Sequence, residues 1–171
     1  MSARPDILCI GSVLWDVIGR APERMAAGND RPGRITRLPG GVALNIAMTL
    51  RRFDLTPALL TVVGDDPDGR DLLAECGRMG LLTEHVLVDA TLPTDRYMAI
   101  EAAGDLIAAI ADAHSLEAAG ARILAPLTDG RLGTPSAPYR GAIAIDGNLT
   151  EALLHEIAGS PVFAEADLRL V

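Results

Sequence analysis

The chain has 171 residues, 49% of them hydrophobic, which suits one domain with a sizeable core and excludes a disordered chain. Asp and Glu number 23 against 15 Lys and Arg, a net charge of −8, so the surface repels phosphate backbones and a nucleic acid polymer is not expected as a partner. Aromatics are only 3%, which requires an aliphatic core, and no apolar stretch reaches the roughly 18 residues of a membrane span, so no membrane partner is expected.

Met1 to Asp6 holds no long apolar segment, so no secretion leader and a cytoplasmic location are expected. Asp6 to Ser12 is an apolar run ending in Gly and predicts a buried strand that continues extended from Val13 to Gly19. Pro22 to Pro39 reads as a loop plus a half-exposed strand at Arg34-Ile35-Thr36-Arg37-Leu38. Gly40-Gly41 opens a helix whose Val42, Asn45, Ile46, Thr49, Leu50 and Phe53 recur at helical spacing. Ala58 to Gly64 predicts a second strand, and Pro67 to Met79 a second helix with Pro67 in its first turn and Gly80 at its stop. The acidic run Asp65-Asp66-Pro67-Asp68-Gly69 lacks the spacing of a calcium loop and complements that helix's dipole. His85 to Asp89 predicts a third strand.

Two strand-like runs, Arg96 to Ala103 and Leu106 to Ala111, flank a short turn and predict a hairpin. Ser115 to Leu124 predicts a helix capped by Ser115, followed by an irregular connection over Leu127 to Tyr139. Gly141 to Asp146 predicts a strand, Thr150 to Ala158 a helix capped by Thr150, and Pro161-Val162-Phe163 the start of a last strand. Strands alternating with helices indicate an α/β domain with a mostly parallel sheet flanked by helices. The Arg34 piece and the hairpin break that alternation and predict a small separate sheet.

Gly40-Gly41-Val42-Ala43-Leu44-Asn45 lets backbone approach a ligand closely at a helix start, with Asn45 one turn in as a donor and acceptor; on spacing alone a tight turn before an ordinary helix is the favoured reading. Asp16 follows the first strand, where open parallel sheets place their ligands, and can accept two hydrogen bonds from vicinal hydroxyls; a solvated loop Asp fits as well. Trp15 could stack on a sugar or base or serve as a core contact. Cys9 and Cys76 form no disulfide framework or CxxC site, and His85, His114 and His155 show no ligand spacing, so no metal site is expected.

Three elements in order, Gly11-Ser12 leading to Asp16, Gly40-Gly41 leading to Asn45, and Val63-Gly64-Asp65-Asp66 leading to Gly69, resemble the PfkB family of carbohydrate kinases over roughly residues 6 to 165. The resemblance implies a ribokinase-like (Rossmann-like) fold with a small β lid. On it, residues 1–171 are the N-terminal part of one domain, with lid segments near 20–39 and 94–112. Within the family, Arg31-Pro32-Gly33-Arg34-Ile35, Pro93-Thr94-Asp95-Arg96-Tyr97 with Gly104-Asp105, Ala109-Ile110-Ala111-Asp112 and Asp146-Gly147-Asn148-Leu149-Thr150 resemble pseudouridine kinases. By that resemblance Asp16, Gly40, Gly41, Asn45 and Asn148 would bind the sugar. Ser12, Tyr97 and Asp112 are further candidates, Asp112 being compatible also with a solvated strand edge.

The implied activity is ATP-dependent phosphorylation of a sugar or nucleoside hydroxyl, with ATP and Mg²⁺ as cofactors and a homodimer through the lid. Leu14 stands where many relatives carry Asn, which implies one sugar hydrogen bond fewer. Ala164-Glu165 stands where relatives show Asp-Pro. The family's magnesium-organising Asn-x-x-Glu and its Gly-Ala-Gly-Asp element, source of the catalytic base, are not expected in this chain, which places the base beyond Val171 and leaves no catalytic residue here. A non-catalytic sugar- or nucleoside-binding module, or another kinase of the family such as a ribokinase or fructokinase, remain alternatives.

Overall fold

The computed structural model describes residues 4–171, so the expectation drawn from Met1 to Asp6 lies partly outside the described residues. The chain opens with β1 (Ile7–Ile10), whose Leu8, Cys9 and Ile10 are fully buried as expected of a strand covered on both faces. The extended run beyond it is not a continuation. It is a separate strand, β2 (Leu14–Ala21), which enters a second sheet with β3 (Arg34–Gly40). Helix α1 (Val42–Arg51) follows. The single strand expected over Ala58 to Gly64 is divided at Thr61 into β4 (Pro57–Leu60) and β5 (Val62–Gly64). Thr61 breaks the pairing because its carbonyl accepts from Leu87 N–H at 2.9 Å, at the head of the strand that pairs with β5.

Helix α2 (Pro67–Arg78) starts where Asp66 accepts the Gly69 N–H at 2.7 Å, with Pro67 in its first turn. Asp66 also accepts from the Thr94 amide at 2.9 Å and its hydroxyl at 2.7 Å, so the acidic motif ties this helix start to a distant crossing segment. Next come β6 (Leu87–Asp89), β7 (Arg96–Ala102) and β8 (Asp105–Asp112), the last two forming the expected hairpin. Helix α3 (His114–Ala119) is shorter than expected and passes into a 3-10 segment over Gly120–Leu127. Ser115 is not its cap. The Asp95 carboxylate accepts from the Ser115 and Leu116 amides at 2.9 and 3.2 Å, while the Ser115 hydroxyl donates to the Pro93 carbonyl.

The chain closes with β9 (Ala142–Ile145), α4 (Glu151–Gly159) capped by Thr150, and β10 (Asp167–Leu170). Pro161–Phe163 forms a 3-10 turn and not the start of a strand; Ser160 caps it, and the true strand begins four residues later.

The main sheet is parallel, ordered β10-β9-β1-β4, and the β5-β6 pair is also parallel. Alternate side chains of β1 feed two cores. Leu8 and Ile10 pack with Ile123, Leu127, Ile143, Leu153 and Phe163, and Cys9 packs with Leu44, Ala47, Leu59, Leu72 and Cys76. Helices α1 and α2 thus line one core and α4 with the 3-10 segment the other, a sheet between helical layers. The second sheet runs β3-β2-β7-β8, with β2 and β7 parallel and the outer pairs antiparallel.

Asp89 ends β6 almost buried, accepting from the Thr91 hydroxyl at 2.6 Å and amide at 2.8 Å and paired with Arg122 of the 3-10 segment. The Thr91 hydroxyl and amide, with the guanidinium, hold its carboxyl down at about 2, against an ordinary 3.8. A depressed carboxyl contributes stability that is present above 3.8 and lost as pH falls toward about 2. The gap in urea midpoint between the parent and Asp89→Asn is therefore expected to close across that window; a gap constant with pH would refute the assignment.

Candidate functional site

Parallel pairing in register, Ile10 beside Ile145, delivers Gly11-Ser12 and Asp146 side by side at the C-terminal ends of β1 and β9, where open parallel sheets hold ligands. Asp146 is fully buried and accepts four hydrogen bonds. The Ser12 amide and hydroxyl reach Oδ2 at 3.0 and 2.7 Å, and the Asn148 amide and side chain reach Oδ1 at 2.8 and 3.1 Å. Ser12 Oγ in turn accepts the Val42 N–H at 2.8 Å, and its carbonyl accepts Leu44 N–H at 3.4 Å. Ser12 therefore caps α1 from another strand, because Gly41 at the helix start has no side chain to do so. Ser12, expected among the ligand contacts, is occupied as a joint between β1, β9 and α1.

Gly41 has φ 99°, and a Cβ there would lie 2.4 Å from the Ser12 carbonyl oxygen. Gly40 is in register with Leu14, so it neighbours Asp16 on the same face of the second sheet. A Cβ on Gly40 would lie 2.0 Å from Asp16 Oδ2, so glycine is what admits the carboxylate. Asp16 is half-buried, and burial raises its carboxyl above the ordinary value. Among the described residues that carboxylate receives no side-chain or backbone hydrogen bond.

Tyr97 pairs with Asp16 across the parallel β2–β7 register and shares its face. Asp112 pairs with Arg96, which lies beside Trp15, so the register turns Asp112 to the opposite face and removes it from the group. Asn45 is exposed one turn into α1, its amide bonded to the Gly41 carbonyl. Asn148 is exposed, with its side-chain amide on Asp146. A recess of about 200 Å³ opens beside the joint, lined by Ser12, Leu14, Ala113, Leu116, Asp146 and Asn148 among others. A wider recess of about 620 Å³ lies at the other end of the strands, near Arg4, His85, Arg131 and Arg140, but Arg131 and Arg140 are already paired with Asp129 and Glu165.

Asp146 was not singled out from the sequence, although Asp-Gly-Asn after an apolar run is the signature of a side chain turning back on its own backbone. The spacing Asn-x-x-Glu, not expected in this chain, does occur at Asn148-Leu149-Thr150-Glu151. There Asn148 is engaged by Asp146, and Glu151 starts α4 exposed, complementing its dipole. Among the described residues no group of three or more His, Cys, Asp or Glu is placed to hold a metal ion, so these residues alone do not fit a Mg²⁺ site.

Residues 4–127 match the pfkB family of carbohydrate kinases. The chain is 31% identical over 126 residues to the pseudouridine kinase of Escherichia coli, covering 73% of this chain and 40% of that protein. It is 32% identical over 146 residues to the uncharacterized sugar kinase YeiI of E. coli, covering 85% of this chain and 39% of that protein. Among solved structures, a carbohydrate kinase from Agrobacterium tumefaciens superposes with a TM-score of 0.78 at 23% identity, over 98% of this chain and 53% of that one. The fold is therefore the ribokinase-like α/β fold, and the chain spans about two fifths of the length of the curated relatives it matches.

Proposed function

The chain belongs to the pfkB family of carbohydrate kinases, and from that premise we propose that it forms the substrate-holding part of an ATP-dependent kinase for a sugar or nucleoside hydroxyl, with pseudouridine the favoured substrate. One observation carries this reading: the half-buried Asp16 carboxylate lies against Gly40 with no donor among the described residues, ready to accept from vicinal hydroxyls. Gly40 lies against it and Tyr97 shares its face, Gly41 and Asn45 follow at the start of α1, and Asn148 borders the recess beside Ser12. The substrate choice rests on the likeness to the E. coli pseudouridine kinase.

In this reading residues 1–171 are the N-terminal part of one domain, working in the cytoplasm. ATP would supply the phosphoryl group; because the described residues alone do not fit a Mg²⁺ site, no step is routed through the metal. The chain's own work is to bind and orient the hydroxyls and to exclude water from them. The second sheet is the lid: it takes β3 from the segment 20–39 and β7 and β8 from the segment 94–112, and adds β2. Ile35, Met98, Ile100 and Ile110 share its face opposite Asp16 and are each more than 40% exposed, which favours a homodimer through that face. A non-catalytic binding module is the second reading, favoured by the complete polar joint that Ser12, Asp146 and Asn148 form beside the recess.

Calorimetry with pseudouridine, uridine and ribose tests this. Asp16→Ala is expected to weaken binding by about 1.5–3 kcal/mol, the loss of hydrogen bonds to a charged acceptor. Because the Asp16 carboxyl is raised, affinity should fall on the acid side at a higher pH than an ordinary Asp would give. A folded parent that binds none of the three, or unchanged affinity in Asp16→Ala, would refute the reading.

A further inference from the structure

Trp15, the chain's one tryptophan, is 3% exposed and faces away from Asp16, since neighbours on a strand point to opposite faces. Its indole N–H donates to the Asp68 carbonyl at 2.9 Å, at the start of α2. The Arg37 guanidinium lies 4.0 Å from the ring centroid. Arg37 then forks, with Nη1 to Asp68 Oδ1 at 2.7 Å and Nη2 to Asp71 Oδ2 at 3.1 Å, and Arg96 Nη2 reaches Asp68 Oδ2 at 3.4 Å. Trp15, Arg37 and Arg96 come from β2, β3 and β7, so α2 grips three adjacent strands on one face while Asp16 and Gly40 occupy the other.

We propose that Arg37 is a positioning residue: stacked on Trp15 and forked between Asp68 and Asp71, it latches the second sheet to α2 and so sets where the Asp16 carboxylate, seated against Gly40, stands to accept ligand hydroxyls. The positioning role rests on the proposed function of Asp16; the latch itself does not. Three strands meet this one helix start, and the sheet beyond it is exposed, with Ile35 76% and Leu106 60% accessible. A small tilt at the latch is therefore a displacement of Asp16. The four charged side chains are 28–63% exposed, so salt reaches them and weakens their attraction. The stack on Trp15 resists salt more, because the ring shields one side of the guanidinium. Lysine could not replace the arginine, since only the planar fork reaches two carboxylates and lies flat on an indole.

Acrylamide quenching of Trp15 fluorescence in the full chain, without ligand, tests the latch. Quenching of the parent is expected to rise about 2- to 3-fold between about 0.05 M and about 1 M salt. Arg37→Met should show at least the parent's high-salt value at every salt concentration, and Arg37→Lys should fall between it and the parent. Asp16→Ala should quench as the parent does. In calorimetry, Arg37→Met should weaken pseudouridine or ribose binding roughly 3- to 10-fold at low salt, converging with the parent at high salt. Salt-independent quenching in the parent, or Arg37→Met indistinguishable from it, overturns the latch even if the variant folds poorly, because the salt series needs only the parent. An exposed Trp15 with unchanged affinity overturns the positioning role. A parent that responds to salt yet binds no ligand overturns the proposed function of Asp16 and the positioning role with it, and confirms the latch alone.

Discussion

Asp146→Ala is expected to lower the unfolding free energy by about 3–5 kcal/mol, because several donors lose their acceptor at about 1–3 kcal/mol for each one left buried and unsatisfied. The carboxylate is fully buried and is the common acceptor for Ser12 and Asn148. Its loss leaves the Ser12 and Asn148 amides without their acceptor in a space that alanine does not fill. It also frees the Ser12 hydroxyl that caps α1 through Val42. Against a typical domain stability of about 5–15 kcal/mol, that is a large fraction. Asp146→Asn keeps the shape but turns an NH₂ group toward two existing donors, so about 2 kcal/mol is expected. Urea unfolding followed by far-UV circular dichroism measures both; a loss under 1 kcal/mol in the alanine variant would mean that the joint does not hold the three elements together.

Gly41→Ala is expected to cost about 3–5 kcal/mol through two separable effects. The φ of 99° lies where side chains are strained, about 1–3 kcal/mol. The added methyl would sit 2.4 Å from the Ser12 carbonyl oxygen and 2.7 Å from its carbon, so backbone must move, at about 1–3 kcal/mol more. Gly104→Ala isolates the first effect, because Gly104 has φ 90° in the β7–β8 turn and nothing within 4 Å of a Cβ. Its expected cost is about 1–2 kcal/mol. Equal losses at the two positions would remove the steric argument. Ligand affinity should also fall in folded Gly41→Ala, since displacing Ser12 shifts the helix start beside Asp16.

The elements that were legible in the sequence are those whose determinants are local. β1 announced itself as Ile-Leu-Cys-Ile because a strand covered on both faces needs no alternation. The starts of α2 and α4 were legible because Pro67 stands in the first turn of one and the cap of the other, Thr150, sits next to it in sequence. Ser115 misled because the helix it suggested is capped by Asp95, twenty residues earlier, and a distant carboxylate competes with a near hydroxyl only once the chain has folded. Pro161–Phe163 misled because an apolar triplet after a helix fits a strand or a buried 3-10 turn equally, and only packing of Val162 and Phe163 into the core decides. The division at Thr61 had no sequence signal, since a β-branched residue within an apolar run favours an unbroken strand.

The sequence by itself determined the layered α/β plan, the aliphatic core and the kinase-family motifs, because composition, periodicity and motif spacing are properties of neighbouring residues. Only the tertiary structure decided what each acidic group does. Asp16, Asp112 and Asp146 all end or follow strand-like runs and look alike in sequence. Folding leaves Asp16 beside Gly40 without a donor among the described residues, turns Asp112 to the other face, and gives each oxygen of Asp146 two donors. Those outcomes depend on strand register and on partners as far as 134 residues apart, and register is a choice made between segments, which no single segment encodes.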